Sequence, residues 1–300
     1  MGPEGAIAAL EHQVRFGFAS YRGVAETATE DDPACAEIAS VPYGLGNHAA
    51  IQTVYDGLAD ERAAPGFSWE TPTGHAIRRV TEGLLTEMPE PSGAKDILLL
   101  TDGNPDTCLV SAPQCGQDQV IHAVQEARAQ GVLTLAIGVG ELVSAPNTGC
   151  NPQDARCGSA HLQDVANAGL GLPVQAPPAS YIYQSCVSRS GGELLATYAP
   201  SVSEDAPFFV ADTMPALRAA IRSLLDGVLS CRVELDVGAD VEGDPADARV
   251  ELDGEPVAHD DPDGWSLEAD AVSLVLHGDA CLAFQEGAAL EVGFPCPGDP

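Results

Sequence analysis

Apolar residues along this chain recur with two different periods, and the order in which the periods alternate predicts the fold. Val14, Phe16 and Phe18 alternate with Arg15, Gly17 and Ala19, the period of two expected of a strand with one face on a core. The end of a helix is expected before it, over Pro3 to His12, and a short strand after it, at about Ile38 to Pro42. Ala50, Ile51, Val54 and Leu58 share one face of a helix that Asn47 can cap. Ile77, Val80, Leu84 and Met88 mark a stronger amphipathic helix, with Pro72 suited to its first position and Thr71 as the cap residue. The run Ile97 to Leu100 is continuously apolar, as in a strand buried on both faces, and Val132 to Val139 reads the same way. Between them, Val120, Ile121, Val124 and Ala127 predict a helix from about Asp118 to Gln130, ended by Gly131. A helix from His161 to Ala168 ended by Gly169 follows, then a strand over Phe208 to Ala211. Last comes a helix capped by Thr213, carrying Leu217, Ile221, Leu224 and Val228.

Strands alternating with helices, the strands apolar throughout, imply an α/β fold: a Rossmann-like, mostly parallel sheet flanked by helices. After Cys231 the pattern changes. Short strand-like runs (Arg232 to Val237, Ala248 to Leu252, Val272 to His277, Ala289 to Phe294) are separated by Asp, Gly and Pro turns, and no helix is evident. The expected organisation is one domain over residues 1–230 and a small antiparallel, β-rich domain over residues 231–300.

Charge narrows the functional classes. Thirteen basic residues face 45 acidic ones, a net of −32, and Lys95 is the single lysine. Such a surface repels nucleic acid and anionic lipid, because phosphate binding needs clustered Lys and Arg. It attracts divalent cations and basic partners, although acidity also serves simply to keep an exported protein soluble. Nine cysteines occur without a C-x-x-C pair or zinc-finger spacing, which argues against a structural zinc motif. Cys108/Cys115 and Cys150/Cys157 each bracket a short Pro-containing loop and are expected to form local disulfides. The chain is therefore expected in an oxidising compartment, secreted or in a cell envelope. No signal peptide and no transmembrane segment is apparent in the sequence. An odd cysteine count implies a free thiol, an intermolecular bridge or a missing partner.

Asp102 directly follows the Ile97–Leu100 run, and Thr71 opens the preceding helix. In this setting "TPTGHAI" resembles the threonine loop, and "ILLLTDGNPD" the aspartate strand, of von Willebrand factor A-type (VWA) domains. "VRFGFASY", "HLQDVANAG" and "FFVADTMPALRAAI" match further elements in the same order, so the resemblance spans roughly residues 3 to 230. It implies a metal-ion-dependent adhesion site (MIDAS) with Thr71 and Asp102 as metal ligands, Thr71 being preferred over Thr73 by its spacing from Ile77. The implied cofactor is Mg2+, or Ca2+ or Mn2+ in its place, and the implied partner is a protein offering a carboxylate. An Asp-x-Ser-x-Ser set, expected in the family after its first strand, has no match here. The chain begins inside the following helix, so Met1 is expected to be a false start, with an export signal, the first strand and a partner for Cys35 lying upstream. Metal binding by this chain without that segment is expected to be weak or absent. The rival reading is a structural envelope protein with a vestigial metal site.

An enzyme is not expected. There is no H-E-x-x-H, no G-x-S-x-G and no recognisable nucleophile–base pair. Gly138-Val139-Gly140-Glu141 lacks a full dinucleotide fingerprint. His259, Asp261, Asp263 and Gly264 imitate part of a calcium loop but read better as an acidic turn.

Overall fold

In a computed structural model of the chain, the described residues are 5–12, 14–23, 35–62, 71–87, 95–102, 105–108, 113–140, 156, 158–178, 186, 194–202, 204–211, 213, 215–221, 231–235, 248–268, 273–285 and 288–294. Their contacts divide the chain into two compact units. One comprises Phe18–Val41 and Thr53–Ile221; the other comprises Met1–Gly17, Pro42–Gln52 and Arg222–Pro300.

The first unit is α/β. Its sheet has the order β3-β4-β5, with β3 at Lys95–Thr101, β4 at Val132–Val139 and β5 at Phe209–Ala211. Both pairings are parallel, in the register Leu98 to Leu135 and Ile137 to Phe209. Helices α3 (Thr73–Glu87), α4 (Pro113–Ala129) and α5 (Ser159–Leu170) flank it. Ile77, Leu99, Val120, Val124, Ala136, Leu162 and Val165 belong to the core, drawn from α3, β3, α4, β4 and α5. Each Val, Leu or Ile among them contributes about 1.5–3 kcal/mol when removed from water, which is why the 3.6-residue and continuous apolar patterns decide these elements. Thr213 caps the helical residues 215–221 (α6), its hydroxyl accepting from the Ala216 N–H at 3.3 Å. Met88, Leu224 and Val228 lie outside the described residues.

Three local expectations are corrected here. β3 is not buried on both faces: Leu99 is buried, but Leu100 is 42% exposed. Among the described residues, β3 has a strand on one side only. Helix α4 starts at Pro113, more than a turn before Asp118, which is thus buried inside the helix. Helix α5 runs past Gly169 and ends against Gly171, whose φ of 76° closes the helix in the left-handed conformation. Gly169 serves instead to let α5 lie against β4, since a Cβ there would strike the Thr134 carbonyl oxygen.

Buried polar side chains pin loops onto this frame. Asn167 on α5 accepts from the Ala206 N–H at 2.8 Å and donates to the Pro173 carbonyl at 3.0 Å. On α4, the Asp118 carboxylate accepts from the N–H groups of Leu195 and Ala196 and from the Tyr198 hydroxyl.

The second unit contains two small antiparallel sheets. One has the order β6-β10-β9, from Arg232–Glu234, Ser273–Leu276 and Trp265–Leu267. The other has the order β11-β7-β8, from Leu290–Gly293, Arg249–Leu252 and Glu255–Pro256. Trp265, Val250, Leu274, Leu276 and Phe284 make their core. Helix α7 (Gly278–Gln285) is a correction to the expectation of no helix after Cys231. Eight residues are too few for periodicity to declare a helix, and the Cys231–Cys281 disulfide fastens it to the sheet. Asp261 accepts from the Asp263 N–H at 2.9 Å, so the calcium-like segment folds as an acidic turn.

Near the amino terminus stand α1 (Ala6–Leu10), the two-stranded sheet of β1 (Phe16–Arg22) and β2 (Glu37–Gly44), and α2 (His48–Arg62). Asn47 precedes α2 as expected, but its side-chain amide donates to the Phe16 and Pro42 carbonyls. The Glu11 carboxylate accepts from the His48 N–H at 2.7 Å.

Among the described residues, disulfide pairing is nonlocal. Cys35 bonds Cys108 and Cys115 bonds Cys186, with Cα separations of 6.1 and 5.4 Å. The expected Cys108–Cys115 bridge is therefore wrong, because Cys115 is held in the first turn of α4 rather than in a loop. The expectation that Cys35 needs an upstream partner is likewise corrected. Cys150 and Cys157 lie outside the described residues.

Candidate functional site

Parallel strands deliver their following loops to one rim of the sheet, where α/β proteins hold ligands. β3 ends at Thr101, and Asp102 stands exposed on that rim. Thr71 lies two residues before α3, and its carbonyl oxygen is a hub. It accepts from the Thr73 N–H at 2.7 Å and from the Asp106 N–H at 2.9 Å. It also accepts from the Thr73 hydroxyl at 3.2 Å. Asp106 lies four residues beyond Asp102, so the threonine loop is hydrogen-bonded to the segment that leaves β3.

The Thr73 Oγ1 also lies 2.9 Å from the Tyr21 hydroxyl, and either group can donate in that pair. Burial raises the Tyr21 pKa; the Thr73 hydrogen bond works against this, and the Asp102 charge adds a smaller upward push. Asp102 is thus within electrostatic range of a buried hydroxyl pair. What gathers here is oxygen: the Tyr21 phenol, the Thr73 hydroxyl and the Thr71 carbonyl already committed to three donors, with the Asp102 charge within electrostatic range.

The structure places Thr71 and Asp102 in the same unit, with their segments joined through the backbone of Asp106. Thr73, set aside in favour of Thr71 on spacing, belongs to the cluster, and Tyr21 joins it without being evident as a site residue from sequence. The available signals are the second hydroxyl of "TPTG" and a hydroxyl closing the apolar "VRFGFASY". Neither signal says what the side chain will meet.

Gly116 in the first turn of α4 sets the floor of this rim. A Cβ there would collide with the carbonyl of Pro105, next to Asp106. Gly116→Ala is expected to cost about 1–3 kcal/mol through this overpacking. Denaturant unfolding checks it, and a variant as stable as the parent would contradict the close approach.

No family model matches the chain, and no curated protein matches it. Among solved structures it is distantly similar to the conserved hypothetical protein BatB from Bacteroides thetaiotaomicron, at 16% identity and a TM-score of 0.34. That match covers 61% of this chain and 82% of that one. It is also distantly similar to the pilus adhesin SpaC from Lactobacillus rhamnosus GG, at 13% identity and a TM-score of 0.37. There 96% of this chain aligns with 34% of the adhesin, so the chain spans about a third of that protein's length.

Proposed function

We propose that this chain is a VWA-type protein-binding module of an exported protein, not an enzyme, and that it grips a partner's carboxylate through a divalent cation. The observation that supports the reading is the hydrogen bond that ties the threonine loop to the segment leaving β3, where the exposed Asp102 lies within electrostatic range of Tyr21. A hard ion such as Mg2+ takes about six oxygens and keeps several waters, so a site with few protein ligands leaves a position for a partner oxygen. Asp102 and Thr71 would hold the ion, and their small number implies weak affinity. A net charge of −32 draws cations to the surface and repels acidic partners, so a bridging cation is the means by which this surface could take a carboxylate. Three disulfides fit an oxidising compartment, and among the described residues no helix is long and apolar enough to cross a membrane.

The test is retention on a resin of immobilised acidic peptide, with Mg2+ in the excess that a weak site requires or with chelator. Retention is expected only with the metal, and Asp102→Ala is expected to abolish it. Retention that ignores chelator, or that survives Asp102→Ala, would sink the metal bridge. No retention under either condition would favour the scaffold reading.

A further inference from the structure

We propose that Cys35, Cys108 and His75 form a zinc site that exists only when the Cys35–Cys108 disulfide is reduced. Both sulfurs and a ring nitrogen of His75 lie within 4.8 Å of one another, with Cys35 buried and the other two half-buried. Tetrahedral zinc with Zn–S of about 2.3 Å and Zn–N of about 2.0–2.1 Å needs its ligand atoms about 3.5–3.8 Å apart. Side-chain rotation alone reaches that spacing, since the two cysteine Cα atoms are 6.1 Å apart.

The site does not depend on the disulfide for its assembly. Arg79, one turn after His75 on α3, donates from Nη1 to the Ala36 carbonyl at 2.8 Å and so holds Cys35 beside the helix. On the other side, the Asp106 N–H bond to Thr71 keeps the segment carrying Cys108 at the start of the same helix. Opening the S–S bond therefore leaves three ligands facing one point. The absence of any local zinc spacing in the sequence is no obstacle, because these residues come from three separate segments.

The chemistry balances with an external reductant of the dithiol or phosphine class. The reductant loses two electrons, the S–S bond breaks, and each sulfur takes up one proton. Zinc then displaces those two protons as it binds both thiolates, while neutral His75 supplies nitrogen. The fourth position is left to water, as in zinc sites with three protein ligands.

The experiment uses the full chain and Co2+ as the spectroscopic probe. After phosphine reduction, a thiolate-to-cobalt charge-transfer band is expected at equimolar metal, displaced by Zn2+ and absent from the oxidised protein. Surface carboxylates bind Co2+ without producing that band, so the acidic surface does not interfere. The band should vanish in Cys35→Ser and in Cys108→Ser, and persist in the double variants Cys115→Ser/Cys186→Ser and Cys231→Ser/Cys281→Ser. His75→Gln keeps the disulfide and should weaken the band and change the visible spectrum. No band in the reduced parent overturns the proposal. So does a band that His75→Gln leaves unchanged, which decides the matter even if the cysteine variants do not fold.

Discussion

Between pH 6.5 and about 3, the chain is expected to lose roughly 1 kcal/mol of stability per pH unit through His161 alone. His161 sits in the first turn of α5, 3% exposed. Burial pushes its pKa down to about 3, and the positive charge of Arg156 pushes the same way. In the unfolded chain the imidazole takes its proton near 6.5; in the folded chain it stays neutral until about 3. Across that window the unfolded state binds more protons, so its share grows as pH falls. The contribution is fully present above 6.5 and erodes below it. Asp164 opposes this at the acid end. Burial raises its carboxyl despite the Arg156 guanidinium, which donates to it at 2.7 and 3.0 Å. The folded state therefore protonates Asp164 earlier than the unfolded one does. As pH falls through the folded Asp164 pKa towards 3.8, stability gained there offsets part of the His161 loss. Denaturant unfolding at pH 7 and about pH 5 should show the decline in the parent and a much smaller one in His161→Gln. An equal decline in both would remove His161 as its source.

Asp118→Ala is expected to cost about 3–5 kcal/mol, more than the overpacking at Gly116. The carboxylate is 2% exposed, and three donors converge on it: Leu195 N–H at 2.9 Å, Ala196 N–H at 3.1 Å and the Tyr198 hydroxyl at 3.0 Å. Hydrogen bonds to an ionised group contribute about 1.5–3 kcal/mol each, and donors abandoned in a dry site lose their hydration without compensation. Asp118→Asn keeps one accepting oxygen but turns an amide donor towards a donor, so it should fall between the parent and the alanine variant. Gln125 gives the segment a second anchor, donating to the Thr197 carbonyl at 2.7 Å and accepting from its N–H at 2.9 Å. Asp118→Ala should therefore also expose residues 195–198 to protease before the unit unfolds globally. A loss below about 1 kcal/mol would contradict this account.

Those two residues show where sequence reading stops. Asp118 looks like an acidic residue at a helix start; only the earlier start of α4 at Pro113 and the arrival of residues 195–198 make it a buried acceptor. His161 reads as a helical position with no signal of its environment. Asn47 marks the start of a helix, as its position predicts, but its side-chain amide also donates to the Phe16 and Pro42 carbonyls, which local sequence does not announce. In the candidate site, Asp102 and Thr71 are legible from the strand end and the helix start. Tyr21 is not, since its part depends on a 2.9 Å meeting with Thr73 across 52 residues of chain, and that meeting brings in the threonine that spacing had passed over.

Sequence alone determined that β3, β4, α3 and α4 exist and that the sheet is parallel, because residues a few positions apart must share a face whatever lies opposite. It determined the charge and the presence of a second, antiparallel region in the same way. Tertiary structure decided that Cys35 pairs with Cys108, that β3 keeps a half-exposed face, and that His75 lies beside that disulfide. A periodic pattern is set by neighbours along the chain. Bonds and close contacts are set by which distant segments the core brings within a few ångströms, and no local spacing records that.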